Sequence, residues 1–222
     1  YEVIDSKTNV NYSTSYMFSY GPFFHTGLKA NLALSDKFGA MLGVFNDTDT
    51  KIDVVSGKHV GAQLSYTGDQ LSAYLNYIGG RVADQTETTV ETTAHQFDVT
   101  AAYQASEALS LGLNATIKNV KPIDAASSNW SGAALYAKYA FGDVFSLGLR
   151  GELINDPYGL ILGLEDNQIS ALTVSGNIHL GSLTVIPELR IDSAKQDGAY
   201  TSLSGDALKA TSGLLMAVVY SF

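Results

Sequence analysis

The side chains best placed to do chemistry in this chain are charged residues spaced two apart. Arg150 and Glu152 form one such pair, and Glu188, Arg190 and Asp192 form another set. Lys29, Asp98, Lys118 and Lys138 occupy equivalent positions in other segments. Residues two apart in an extended strand share a face, so these nine would project from one side of a sheet. Charges of both signs on a low-dielectric wall set up a transverse field that sorts small hydrophilic solutes. The nine are therefore candidate pore-lining residues. His25, Asn31, Gln63, Asn76, Asn114, Tyr136, Asn177 and His179 fall on the same projection. In the competing reading the charges pair with one another, stiffen the wall and leave no open channel.

Bond-making chemistry has little support. His25, His59, His95 and His179 are scattered, and no GxSxG-like segment presents a nucleophile beside them. No enzyme is expected. The absence of Cys removes disulfide frameworks, thiol catalysis and Cys-containing metal sites together. Asn46-Asp47-Thr48-Asp49 lacks the Gly and distal Glu of an EF-hand loop. No metal and no other cofactor is assigned. A net charge of −9 argues against nucleic acid as a partner, because phosphate contacts need Lys and Arg.

The elements that would position these residues are strands. Although 45% of the 222 residues are hydrophobic, no apolar run reaches the roughly 18 residues of a membrane helix. Short polar turns fall at Asp36-Lys37, Gly68-Asp69, Ser106-Glu107, Gly142-Asp143 and Gly181-Ser182, each between alternating apolar segments. Their spacings of 32, 38, 36 and 39 residues, with 41 more to Phe222, describe a repeating hairpin. Eleven strands are expected, near 23–35, 37–46, 59–67, 70–79, 95–105, 108–118, 130–141, 144–154, 168–180, 183–192 and 211–222. In 144–154, Phe145, Leu147, Leu149, Gly151 and Leu153 alternate with Ser146, Gly148, Arg150 and Glu152. Pro187 inside a strand removes one ladder donor and marks a bulge or local break.

Short turns at one end and long loops at the other match an antiparallel, up-and-down transmembrane β-barrel with periplasmic turns. The long stretches, near 46–58, 79–94, 119–129, 155–167 and 193–209, carry twelve carboxylates against six bases. A solvated acidic surface is the simplest account of them. The 155–167 stretch holds an apolar GLILGL core that extends the flanking strands, folds inward or meets a partner.

The final segment, SGLLMAVVYSF, puts Leu214, Met216, Val218, Tyr220 and Phe222 on one face. It resembles the assembly signal of bacterial outer-membrane barrels, with Tyr220 and Phe222 as the terminal aromatics. Residues 11–30, NYSTSYMFSYGPFFHTGLKA, resemble the conserved middle of the OmpL-like β-barrel porin family. Asn11, Tyr12, Ser13, Ser15, Tyr16, Phe18, Gly21, Pro22, Phe23, His25, Thr26, Gly27 and Ala30 carry the match. In that family further strands precede this stretch. An odd count of eleven, with a last strand ending in the periplasm, points the same way. The expectation is one all-β barrel domain over residues 1–222, with 11–12 strands visible as the C-terminal part of a larger barrel. Residues 1–22 would be an extracellular loop or an incomplete strand.

The resemblance implies a porin of the bacterial outer membrane, a passive diffusion channel for small hydrophilic solutes or ions. A structural β-barrel subunit of a larger outer-membrane complex, without an open pore, is the second reading. The partners implied are outer-membrane lipid and lipopolysaccharide, the barrel-assembly machinery during insertion, and further copies of the chain or other outer-membrane proteins.

Overall fold

The computed structural model describes residues 1–52, 57–82, 92–122 and 124–222. After a 3-10 turn at Ser6–Thr8 and a short helix, α1 (Tyr16–Tyr20), the chain enters a succession of long strands. These are β1 (Gly27–Ala33), β2 (Phe38–Phe45), β3 (His59–Thr67), β4 (Leu71–Val82), β5 (Thr92–Gln104) and β6 (Leu109–Pro122). They continue with β7 (Ser128–Ala140), β8 (Phe145–Tyr158), β9 (Glu165–Leu180) and β10 (Leu183–Ala194). A two-residue hairpin, β11 (Tyr200–Thr201) and β12 (Ala207–Leu208), precedes the last strand, β13 (Ala210–Tyr220). The eleven long strands form one sheet in chain order, each antiparallel to the next. Its edges are β1 and β13, and no ladder joins them among the described residues. This is an antiparallel up-and-down transmembrane β-barrel architecture. Among the described residues no helix is long and apolar enough to cross a membrane.

All eleven expected strands are present, and the turns behave as their residues require. Gly142 and Gly181 adopt φ of 135° and 65°, a region closed to most side chains, and so reverse the chain between β7 and β8 and between β9 and β10. Strands β4 to β10 run beyond their expected long-loop ends, because polar residues there continue the ladder. Pro187 makes a local break and no bulge. The β9–β10 register is the same on both sides of it, while the pairs at 186 and 187 drop out.

The alternation sorts the faces as a barrel needs. Along β8, Ser146, Gly148, Arg150, Glu152, Ile154 and Asp156 are buried, while Phe145, Leu149, Gly151 and Leu153 are exposed. On β13, Leu214, Met216, Val218 and Tyr220 are exposed. The exposed apolar face is the lipid-facing one, where burial is completed by hydrocarbon instead of protein. Phe38 lies 5.1 Å from Tyr66, and Tyr139, Phe141 and Phe145 form a chain of ring contacts beside the short turns. These rings form an aromatic band at the short-turn end of the sheet, as in the interfacial girdles of membrane proteins.

Toward the long-loop end the interior is apolar. Met17 of α1 packs with Trp130, Ala134, Tyr136, Ile154, Ile161 and Ile169. Ile161 belongs to the GLILGL stretch, whose flanking strands do extend, to Tyr158 and from Glu165, while its tip folds inward. Both Asp156 carboxylate oxygens hold that tip, accepting from the Leu160 and Ile161 backbone N–H groups at 2.8 and 2.7 Å. Of the acidic loop residues, Asp53, Asp84, Glu87 and Glu91 lie outside the described residues. Lys195 pairs with Asp166 at 2.7 Å and Lys209 with Asp197 at 3.5 Å, exposed contacts that contribute little.

Candidate functional site

Strand register assembles the charged residues into neighbouring rows. Tyr136 of β7, Arg150 of β8, Thr173 of β9 and Arg190 of β10 stand in one row across four strands. The row above holds Ala134, Glu152, Ala171 and Asp192, and the row below holds Lys138, Gly148, Ser175 and Glu188. Small residues alternate with large ones, which leaves space on the inner face. Part of residues 1–22, Glu2 with Val10 to Met17, occupies that space.

Within residues 11–16 the inner segment makes almost no ladder bonds, so its backbone groups need other partners. Strand side chains supply them. Glu188 accepts from Tyr12 N at 2.7 Å and Ser13 N at 3.1 Å, and from the Ser175 hydroxyl at 2.6 Å. Glu152 accepts from Tyr16 N at 2.8 Å. Arg150 donates to Ser13 O at 2.5 Å, Thr14 O at 3.2 Å and Thr173 Oγ1 at 3.2 Å. It also donates to Glu2 Oε1 at 2.7 Å, while Glu2 Oε2 accepts from both Ser15 N and Ser15 Oγ at 2.7 Å. Arg150 Nε lies 2.9 Å from Glu152 Oε1, an ion pair without hydrogen-bond alignment. Arg190 donates to Thr14 O at 2.7 Å and to Asp192 at 2.8 Å, with its guanidinium 4.9 Å from the centre of the Tyr16 ring.

Arg150 is completely buried, and Glu152 and Glu188 nearly so. Charges out of water are costly unless each is paired and hydrogen-bonded. Here the planar guanidinium fork meets several acceptors at once, which a Lys ammonium cannot do in fixed geometry. The segment is secured elsewhere by ring contacts. Tyr1 stacks on Tyr136 with centroids 4.1 Å apart, and the Tyr16 hydroxyl meets that of Tyr200 at 3.0 Å. Burial raises the pKa of both phenols above the usual tyrosine value.

Beyond the clamped segment, against β2 to β6, the interior opens into a cavity of about 690 Å³. Its wall on the sheet side carries a polar ladder. Gln63, Asn76, Asp98 and Thr116 stand in one row by register. Gln63 donates to Asn76 at 2.7 Å, and Asn76 and Asn114 donate to the two Asp98 oxygens at 3.1 and 2.6 Å. The opposite side is supplied by the inner segment, including Met17, Phe18 and Phe23. Phe45 covers Gly43 and Gly61, where an added Cβ atom would collide with its ring.

The nine charged residues read from the sequence thus fall in distinct places. Arg150, Glu152, Glu188, Arg190 and Asp192 come together beneath the inner segment, and Asp98 borders the cavity. Lys118 and Lys138 are half-buried, opposite Trp130 and Gly148 respectively, and Lys29 is exposed on edge strand β1. Tyr220 and Phe222 stack loosely at 6.4 Å on the outer surface. Glu2 and the buried Asn11 and Ser15 were not singled out as clamp residues. Alternation could not find them, because the segment that carries them is not a strand.

The comparisons agree with this geometry. The chain resembles the anion-selective porin from Comamonas acidovorans, with a TM-score of 0.69 at 16% identity. That match covers 87% of the chain and 58% of the porin, so the chain spans under two thirds of its length. The outer-membrane OmpT of Vibrio cholerae is also similar, with a TM-score of 0.64 at 13% identity, covering 99% of the chain and 74% of OmpT. At such identities these likenesses concern the fold. No curated protein matches the sequence. A family model described as putative beta-barrel porin-2, OmpL-like, matches residues 1–222 in full. By that match over its whole length, the chain belongs to the OmpL-like beta-barrel porin-2 family of the bacterial outer membrane.

Proposed function

We propose that the protein is a porin, a passive diffusion channel for small hydrophilic solutes or ions, with residues 1–222 contributing one barrel domain. The observation that carries this reading is the cavity of about 690 Å³, with a polar ladder along its sheet side, left beside a clamped inner segment. A wall lined by amides, a carboxylate and a hydroxyl replaces part of a solute's hydration shell, while the apolar outer face meets lipid. The charged residues have separate roles in this reading. Asp98 borders the cavity and Lys29, Lys118 and Lys138 line the passage outside it, whereas Arg150, Glu152, Glu188, Arg190 and Asp192 set its width by holding residues 1–22. Lipid and lipopolysaccharide surround the barrel. Tyr220 and Phe222 address it to the assembly machinery, and oligomerisation with further copies or other outer-membrane proteins is compatible with the exposed edges.

The test is single-channel conductance of the full-length folded protein in a planar bilayer, with ion preference taken from the reversal potential. Steady conductance is expected. A folded barrel that conducts nothing would overturn the porin reading in favour of a scaffold subunit.

A further inference from the structure

The cavity wall has a hydrogen-bond polarity that its chemistry fixes. As a carboxylate, Asp98 offers acceptors only. Asn76 and Asn114 must therefore turn their NH₂ groups toward it, at 3.1 and 2.6 Å. Asn114 gives a further N–H contact to Val99 O at 3.2 Å, which leaves its Oδ1 as a spare acceptor. With Asn76 so oriented, its Oδ1 faces Gln63, which must donate and keeps Oε1 free for a ligand. The same holds next door, where Gln96 donates to Thr116 and Thr116 donates to Phe97 O. Through Asp98, the wall is thus left with Gln63 Oε1, Asn114 Oδ1 and the carboxylate itself as acceptors for a ligand.

The charge balance points the same way. Among the described residues no Lys or Arg lines the cavity, and His25 is the basic side chain that does. Glu2 is already committed to Arg150 and Ser15. Among the described residues Asp98 makes no ion pair. Met41 and Phe45 on the sheet side, with Met17, Phe18 and Phe23 on the segment side, add an apolar surface to the same space. A carboxylate with flanking amide oxygens beside apolar and aromatic side chains is matched by an ammonium group on an apolar arm. Gln63, Asn76 and Gln96 each retain a second N–H, so a polyol would find hydrogen bonds as well. The carboxylate charge favours the cation.

We propose that this cavity is a subsite for a small primary organic ammonium, with Asp98 as counter-ion and Gln63 Oε1 and Asn114 Oδ1 as flanking acceptors. It deepens the porin reading, on which it rests, by naming the solute class that the passage holds. The probe is phenethylammonium, titrated calorimetrically into the full-length protein in detergent. Its neutral isostere 2-phenylethanol and the anion 3-phenylpropionate are titrated alongside. The ammonium is expected to bind saturably and at least about tenfold more tightly than either comparator, the scale of one charge-assisted hydrogen bond. Asp98→Asn is expected to remove that preference. Equal binding of the neutral isostere, or an unchanged preference in a folded Asp98→Asn protein, would overturn the subsite. The comparison among probes needs no variant, so it stands even if Asp98→Asn does not fold. Ion conductance without ammonium preference overturns the subsite alone, whereas ammonium preference in a barrel that does not conduct overturns the porin reading alone.

Discussion

Replacing Arg150 by Gln should detach residues 1–22 from the inner face while leaving the sheet folded. The side chain is fully buried and serves Glu2, Ser13 O and Thr14 O on the segment as well as Glu152 and Thr173 on the wall. Without it, the Glu2 and Glu152 carboxylates are left buried without their cation. Removing one partner of a buried pair costs about 3–5 kcal/mol. The three contacts to the segment alone are charge-assisted bonds of about 1.5–3 kcal/mol each before ordering costs are subtracted. The protein can escape this penalty by letting the segment leave, because only local structure is then lost. At about 1.4 kcal/mol per tenfold, hydrogen-exchange protection of the Tyr12, Ser13, Ser15 and Tyr16 amides should fall by about two to three orders of magnitude. Exchange mass spectrometry on peptides covering residues 10–20 reads this directly, with retention of the heat-modifiable gel band as the fold control. Arg150→Lys keeps the charge but loses the fork, and should fall between the two. If the variant folds and protection at 12–16 is unchanged, the clamp does not hold the segment and the reasoning fails.

Other outcomes follow from the same geometry. Glu188→Gln loses the carboxylate that accepts from Tyr12, Ser13 and Ser175, and should weaken docking by about 1–3 kcal/mol; faster exchange confined to residues 11–14 is the expected signature. Gly43→Val places a side chain where the Phe45 ring lies, so it should lower the unfolding temperature in detergent by overpacking of about 1–3 kcal/mol. An unchanged melting curve would mean that the ring has room to move. Burial raises the pKa of Tyr16 and Tyr200 in the folded protein. Stability from their neutral contact is therefore complete below the ordinary tyrosine value near pH 10 and is lost as the pH rises above it. Ultraviolet titration should show Tyr16 and Tyr200 among the tyrosines that ionise late, and Tyr16→Phe should remove one from that group.

Strand positions and facing were determined by sequence alone. The period-2 alternation, the regular short turns and the φ-permissive Gly142 and Gly181 act locally, and local rules suffice for hairpins joined in simple succession. Arg150, Glu152, Glu188 and Arg190 were legible as inward for that reason. Their task was not. Whether an inward charge meets solvent or another part of the chain depends on what fills the interior, and residues 1–22 have no periodicity that forecasts their path. The five-residue helix α1 is too short to show a helical repeat, and it exists because Ser15 caps Phe18 N while Met17 inserts beside Trp130 and Ile154. Likewise the sequence places Gln63, Asn76, Asp98 and Asn114 on one face, but only the strand register brings Asp98 within reach of both amides and so fixes their direction. Tertiary structure decided these points because buried polar groups must be satisfied across distant segments. That condition is global, whereas alternation is local.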